Sequence, residues 1–103
     1  MEQVFYWDKE VECRPRDQIE QHQLAKLREK MAYVIDKSPF YKRKFAKAKI
    51  APEQIRTMGD LRRIPLTTKE ELQQNQAENP PWGEFACIGP DEAVRVFQTS
   101  GTT

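Results

Sequence analysis

The sequence predicts a mainly α-helical chain, with a long amphipathic helix, several short helices and one C-terminal strand. Three observations carry that expectation. Ile19, Leu24, Leu27, Met31, Val34 and Ile35 recur near helical spacing. Helix-start signals then follow at Ser38-Pro39, Thr57 and Thr68. Finally, Ala93-Val94-Arg95-Val96-Phe97-Gln98 is an apolar run of strand character after a Gly-Pro break. Four regions result. Residues 1–14 form an aromatic N-terminal arm and 15–78 a helical subdomain. Residues 79–92 form a Pro/Gly-rich loop, and 93–103 a strand entering a hydroxyl-rich turn.

Taken in order, Phe5, Tyr6 and Trp7 open the chain, and an extended arm docked by these aromatics is expected. Arg14-Pro15-Arg16 breaks the chain. Asp17, with Glu20 three positions on, has the pattern of a helix cap. The long helix is expected from about Asp17 to Asp36, with Glu20, Lys26, Glu29, Lys30 and Asp36 mostly opposite its apolar stripe. His22 falls at its margin, as an edge residue.

Ser38-Pro39 ends that helix and starts the next, because Ser caps well and Pro suits the first helical position. Over residues 39–49 one face collects Phe40, Tyr41, Phe45 and Ala48, and the other Lys42, Arg43, Lys44, Lys47 and Lys49. The aromatics share the apolar face, so the cations read as a solvated surface rather than a base-stacking platform.

Ile50–Ile55 contains a helical turn started by Pro52. Thr57–Ile64 is a short helix with Thr57 as cap, Asp60 in its first turn, and Leu61 and Ile64 pointing inward. Thr68 and Glu71 make a capping box for a helix running to about Gln76. Thr67, Thr68 and Lys69 are read as capping alone rather than as a phosphate site. Asn79-Pro80-Pro81-Trp82-Gly83 and Gly89-Pro90-Asp91 are loops.

Bulk properties narrow the function classes. At 103 residues the chain is at most one domain. Leu, Ile, Val and Phe make up about a fifth of it, enough for a thin core, and the net charge of +1 adds no strong self-repulsion. Residues 1–51 carry +4 and residues 52–103 carry −3, which is not the balance of a strongly basic nucleic-acid-binding domain. Cys13, Cys87 and His22 have no metal-ligand spacing, and two reduced thiols are expected. Residues 1–8 lack the basic-then-apolar pattern of a secretory signal, and no apolar run approaches the ~18 residues of a membrane span. The expected location is cytoplasmic, with no membrane or nucleic-acid partner.

The closing Thr99-Ser100-Gly101-Thr102-Thr103 is the one motif with chemistry of its own. Backbone amides in a small-residue turn can converge on phosphate oxygens, because Gly permits close approach, and Ser and Thr hydroxyls add donors. It is not a Walker A loop, since the Gly-x-x-x-x-Gly-Lys spacing is absent. Taken alone, it reads as a plain turn rather than a phosphate site.

Around this motif the chain resembles a family. The resemblance rests on Ser38-Pro39-Phe40-Tyr41-Lys42-Arg43-Lys44-Phe45, on Asp60-Leu61-Arg62-Arg63-Ile64-Pro65-Leu66-Thr67-Thr68-Lys69-Glu70-Glu71-Leu72, on Pro81-Trp82-Gly83, and on Arg95-Val96 leading into Thr99–Thr103. In this order they resemble the N-terminus of phenylacetate–CoA ligases, members of the adenylate-forming (acyl-CoA synthetase) superfamily. Phe97 stands where the family often has His, Thr99 where Ser is common, and Pro80-Pro81-Trp82-Gly83 replaces a more usual Tyr-Pro-Phe-Gly.

The resemblance implies an N-terminal segment of an α/β enzyme, cut within its ATP loop. The parent enzyme would use ATP, Mg²⁺ and CoA to activate an aryl, phenylacetate-like acid through an acyl-adenylate. It further implies that Thr99, Ser100, Gly101, Thr102 and Thr103 hold the β- and γ-phosphates. No residue matches a catalytic or metal-binding position, and the 103 residues alone are expected to be inactive and to bind no cofactor tightly. Self-association through the exposed C-terminal strand is also expected. The alternative is a helical binding or scaffold module that uses the basic helix 39–49 for nucleic acid or an acidic partner.

Overall fold

In the computed structural model, residues 3–100 are described. Among them are four α-helices, α1 (Lys9–Glu12), α2 (Arg16–Lys37), α3 (Pro39–Lys47) and α4 (Lys69–Glu78), with 3₁₀ turns at Pro52–Gln54 and Met58–Arg63 between α3 and α4 and at Pro90–Glu92 after α4.

α2 forms where the apolar stripe requires it. Leu24 and Met31 are buried, with Leu27, Val34 and Ile35 packed beside them. It ends at Ser38, whose extended backbone turns the chain and whose Oγ accepts the Tyr41 backbone N–H at 3.3 Å to cap α3. α3 lays Phe45 into the same core, which Ile50 and Ile55 complete. Its C-terminus closes by the Ile50 N–H donating to the Phe45 carbonyl and the Lys49 N–H to that of Ala46, both at 3.1 Å. This is the Schellman arrangement, with Lys49 at φ 56 in the left-handed position where glycine is usual. Arg28 of α2 donates to the Ile55 carbonyl at 2.8 Å and ties the first 3₁₀ turn to the long helix. The core therefore lies between α2, α3 and the chain from 50 to 64, with Met58 and Ile64 at its margin.

α4 starts as its capping box dictates. Thr68 Oγ1 accepts the Glu71 N–H at 3.2 Å, and Glu71 Oε2 accepts the Thr68 N–H at 2.7 Å. The radius of gyration is 18.0 Å and the principal extents are 57 × 35 × 30 Å. A compact chain of about 100 residues has a radius near ~13 Å, so the fold is elongated.

Several expectations are corrected. Residues 93–98 form no strand: among the described residues there is no strand at all, and this segment has no regular structure, with a bend at Val94 and no backbone partner for 94–98 among them. A strand exists through its ladder of hydrogen bonds to a neighbour, and among the described residues no segment pairs its backbone with this one. Val94 and Phe97 are therefore 97% and 82% exposed. The N-terminal arm does not dock by its aromatics, since Trp7 is fully exposed, and it contains the single turn of α1, capped by Asp8. Asp17 does not cap α2. Pro15 holds that position with no side-chain bond, and Arg16 pairs with Glu20 in the first turn. Leu61 and Ala48 lie at the surface rather than in the core.

Candidate functional site

The candidate segment is reached through the loop after α4. Gly83 sits at φ +72, and a Cβ there would stand 2.7 Å from both Asn75 Oδ1 and the Phe85 ring, so both backbone and space demand glycine. Gln76 Nε2 donates to the Pro81 carbonyl at 2.9 Å, and the Gly83 N–H to the Asn79 carbonyl at 2.7 Å. These bonds fold residues 79–83 back on the end of α4.

Glu84 then joins three elements. Its backbone N–H donates to Asn75 Oδ1 of α4 at 2.5 Å. Its carbonyl accepts from Ser38 Oγ at 3.1 Å and from the Phe40 N–H at 3.2 Å, at the start of α3. Its carboxylate accepts two bonds from the Arg43 guanidinium, at 2.7 and 3.0 Å, and one from Asn75 Nδ2 at 3.3 Å. The charged hydrogen bonds from Arg43, more than that from Asn75, hold the carboxyl below the usual glutamate range. Beside it Lys44 Nζ meets Glu71 at 2.6 Å, with Phe40 under the ammonium. That contact and the Thr68 N–H hold Glu71 below its ordinary value.

Two grooves flank this hub. One of about 320 Å³, between α3 and α4, is lined by Arg43, Lys44, Lys47, Glu71 and Glu78 among others. The other, of about 500 Å³, lies between Gln76, Pro81 and Trp82 on one side and Val96, Phe97, Gln98 and Thr99 on the other.

Of the predicted phosphate-binding residues, Thr99 borders this second groove and Ser100 is exposed just beyond it. Gly101, Thr102 and Thr103 lie outside the described residues. The two exposed hydroxyls suit phosphate oxygens as donors, and the described part of the segment carries no assigned secondary structure. Among the described residues no group of His, Cys, Asp or Glu is placed to hold a metal ion. No helix there is long and apolar enough to cross a membrane.

The basic face of α3 is partly committed. Arg43 and Lys44 are paired with Glu84 and Glu71, whereas Lys42, Lys47 and Lys49 are exposed and make no ion pair among the described residues. Glu84 and Asn75 were missed from sequence. The one available signal was Asn75 three positions after Leu72, which puts an amide on the helix face that turns inward.

Among solved structures, the fold is similar to that of acyl-CoA ligases. The chain is similar to 2-hydroxyisobutyryl-CoA ligase in complex with 2-HIB-AMP and CoA in the thioesterification state, with a TM-score of 0.84 and 33% identity over 95% of this chain and 21% of that one. It is similar also to an open conformation of that ligase, with a TM-score of 0.76 and 31% identity over 84% of this chain and 19% of the other.

More particularly, the chain is phenylacetate–CoA ligase-like in sequence. It is 37% identical to phenylacetate-coenzyme A ligase of Thermus thermophilus over 91% of its length, and 36% and 32% identical to the enzymes of Pseudomonas putida and Escherichia coli over 90%. It spans about a fifth of the length of these curated relatives, 20% in each case. No family model matches the chain.

Proposed function

We propose that the chain is the N-terminal part of an ATP-, Mg²⁺- and CoA-dependent ligase of the cytoplasm that activates an aryl, phenylacetate-like carboxylic acid. The observation that supports this most is similarity along nine-tenths of the chain to phenylacetate-coenzyme A ligases, joined to a close fold match with a ligase bound to 2-HIB-AMP and CoA. In the whole protein the acid's carboxylate attacks the α-phosphate of ATP and pyrophosphate leaves. The CoA thiolate then attacks the acyl carbon and AMP leaves.

Thr99, Ser100, Gly101, Thr102 and Thr103 hold the β- and γ-phosphates, using backbone amides and hydroxyls. The charge of the triphosphate is neutralised by Mg²⁺ and by basic groups outside this segment. Residues 15–78 are the scaffold on which the segment stands, and 79–92 the connection to it. No residue of the chain transfers a proton or acts as nucleophile, so the 103 residues alone catalyse nothing.

The test is pyrophosphate release by the full-length protein with ATP, Mg²⁺ and CoA against a panel of aryl and short aliphatic acids. Acid-dependent release, with thioester formed in equal amount, is expected. Replacing Thr102 by Ala should lower kcat by about 10²-fold, the usual effect of losing one such donor. No acid-dependent release from the full-length protein would overturn the ligase assignment. Release by the 103-residue chain alone would overturn its inactivity.

A further inference from the structure

The apolar core has no member from α4. Leu24, Met31, Phe45, Ile50 and Ile55, with the residues packed against them, all lie between 24 and 64. On α4 the buried residue is a polar one, Asn75, and Leu72 is half-buried. Polar ties therefore hold this helix. Among the described residues one hydrogen bond joins it directly to the preceding helices, from Lys44 Nζ to Glu71. The other ties pass through Glu84, which takes Asn75 on one side and Arg43, Ser38 and the Phe40 N–H on the other. Phe85 adds an apolar contact, edge-on to the Phe40 ring at 6.2 Å. Beside these ties lies the groove of about 320 Å³, where Lys47 and Glu78 also face the gap without forming an ion pair. Residues 65–67 before α4 and 86–89 after the turn belong to no helix or strand.

Local opening draws on regions with few buried apolar contacts, and partly exposed ion pairs weaken as salt screens them. We propose that α4 and the turn at 79–85 form a flap that opens from the α2–α3 core as one body, hinged at 65–67 and 86–89, with Lys44–Glu71 and Arg43–Glu84 as the charged clasps that hold it shut. Rising ionic strength then raises the open fraction. Of the two clasps Arg43–Glu84 is the more readily screened, since 59% of the Arg43 side chain is exposed against 13% for Lys44. This device goes beyond the ligase reading and does not depend on it.

The Phe40 N–H reports the flap. It lies in the first turn of α3, where amides have no partner within the helix, and its acceptor is the Glu84 carbonyl. The neighbouring Tyr41 N–H is capped by Ser38 Oγ, which stays with the core. Opening frees the first amide and leaves the second bonded.

The test follows amide hydrogen exchange at single-residue resolution on the full-length protein, from ~0.01 to ~1 M NaCl. Over that range the screening length falls from about 30 to about 3 Å. Relative to its intrinsic rate, the Phe40 N–H should exchange about threefold faster or more at high salt, with Tyr41 and the α2 core unchanged. Amides of residues 73–78 should stay slower than Phe40, because a flap that swings keeps its own helical bonds. Glu71→Gln retains the capping box and loses one clasp, and Arg43→Met loses the other. Each should speed Phe40 exchange by about twofold to fivefold, and Arg43→Met should also flatten the salt dependence. Lys26→Ala on α2 should do neither.

Any of four results would overturn the device. Phe40 could exchange no faster than the α2 core, or show no response to salt. It could rise together with Tyr41, which means that the start of α3 frays, or together with 73–78, which means that α4 melts rather than swings. The salt series on the unaltered protein decides even where a variant fails to fold.

Discussion

Ser38 has no exposed surface and its hydroxyl does two jobs. It accepts the Tyr41 N–H to begin α3, and it donates to the Glu84 carbonyl. Ser38→Ala removes a helix cap, worth typically ~1 kcal/mol, and a bond to a partly buried carbonyl of similar size. A loss of about 2 kcal/mol is expected, read from the urea midpoint at constant slope. A loss below about 0.5 kcal/mol would mean that water replaces the hydroxyl freely. The first role was legible in Ser38-Pro39 because capping depends on residues three apart. The second was not, because nothing local links position 38 to position 84. Asn75 and Glu84 escaped for the same reason. Their partners are set by how α3 and α4 lie together, and no periodic pattern records that.

Among the elements, α2 forms where its apolar spacing places it, and α3 and α4 start where their caps place them, since helical bonds are local. The end of α3 was not foreseen in detail. Lys49 takes the left-handed backbone of a Schellman closure without being glycine, and Lys49→Gly should therefore stabilise the fold by about 0.5–1 kcal/mol in a thermal or urea melt. The failed expectation at 93–98 has the opposite character. An apolar run states a preference for extended backbone, and pairing needs a second segment that the described chain does not provide.

Carboxylates at the element ends also govern acid behaviour. Asp60 accepts the Arg56 and Thr57 N–H groups at 2.9 Å each, bonds that hold it below the ordinary aspartate value. Glu71 and Glu84 are lowered likewise by Lys44 and Arg43. A carboxyl lowered in the folded state binds fewer protons there than in the unfolded chain, so it favours the fold above its ordinary value. That contribution is retained at neutral pH. It declines as pH drops below the ordinary values of 4.5 for Glu and 3.8 for Asp, toward the lowered ones. The urea midpoint should hold from pH 7 to about 5 and fall toward pH 3. Glu71→Gln should make that fall shallower, and an unchanged slope would remove Glu71 from the account.

As a whole molecule, the chain exposes large apolar side chains at both ends. Phe5 and Trp7 stand out on the arm, and Val94, Val96 and Phe97 on the tail, with Leu66 between. An apolar segment with unpaired backbone is a template for another copy of itself. The isolated 103-residue chain should therefore self-associate with rising concentration in sedimentation velocity, and the double change Val96→Lys, Phe97→Lys should shift it toward monomer. A monomer at high micromolar concentration would dismiss the tail as a contact surface. The thin core was legible from composition, as a fifth of Leu, Ile, Val and Phe in the sequence implies. The elongated shape was not, because composition says nothing about which neighbours an apolar face meets.

The reach of the Glu84 bonds also orders events in time. The core residues all lie between 24 and 64, and the tie from Arg28 to Ile55 spans 27 residues, whereas the bond from Ser38 to Glu84 spans 46. Loop closure costs more entropy as the loop lengthens, and contacts distant in sequence are met late in folding. On a ribosome, α2 and α3 with Ile55 can settle before residue 84 has left the exit tunnel. The hub around Glu84 then acts as a latch, closing over a preformed helical pair rather than nucleating it. Substitutions at Glu84 should speed unfolding and leave the refolding rate nearly untouched.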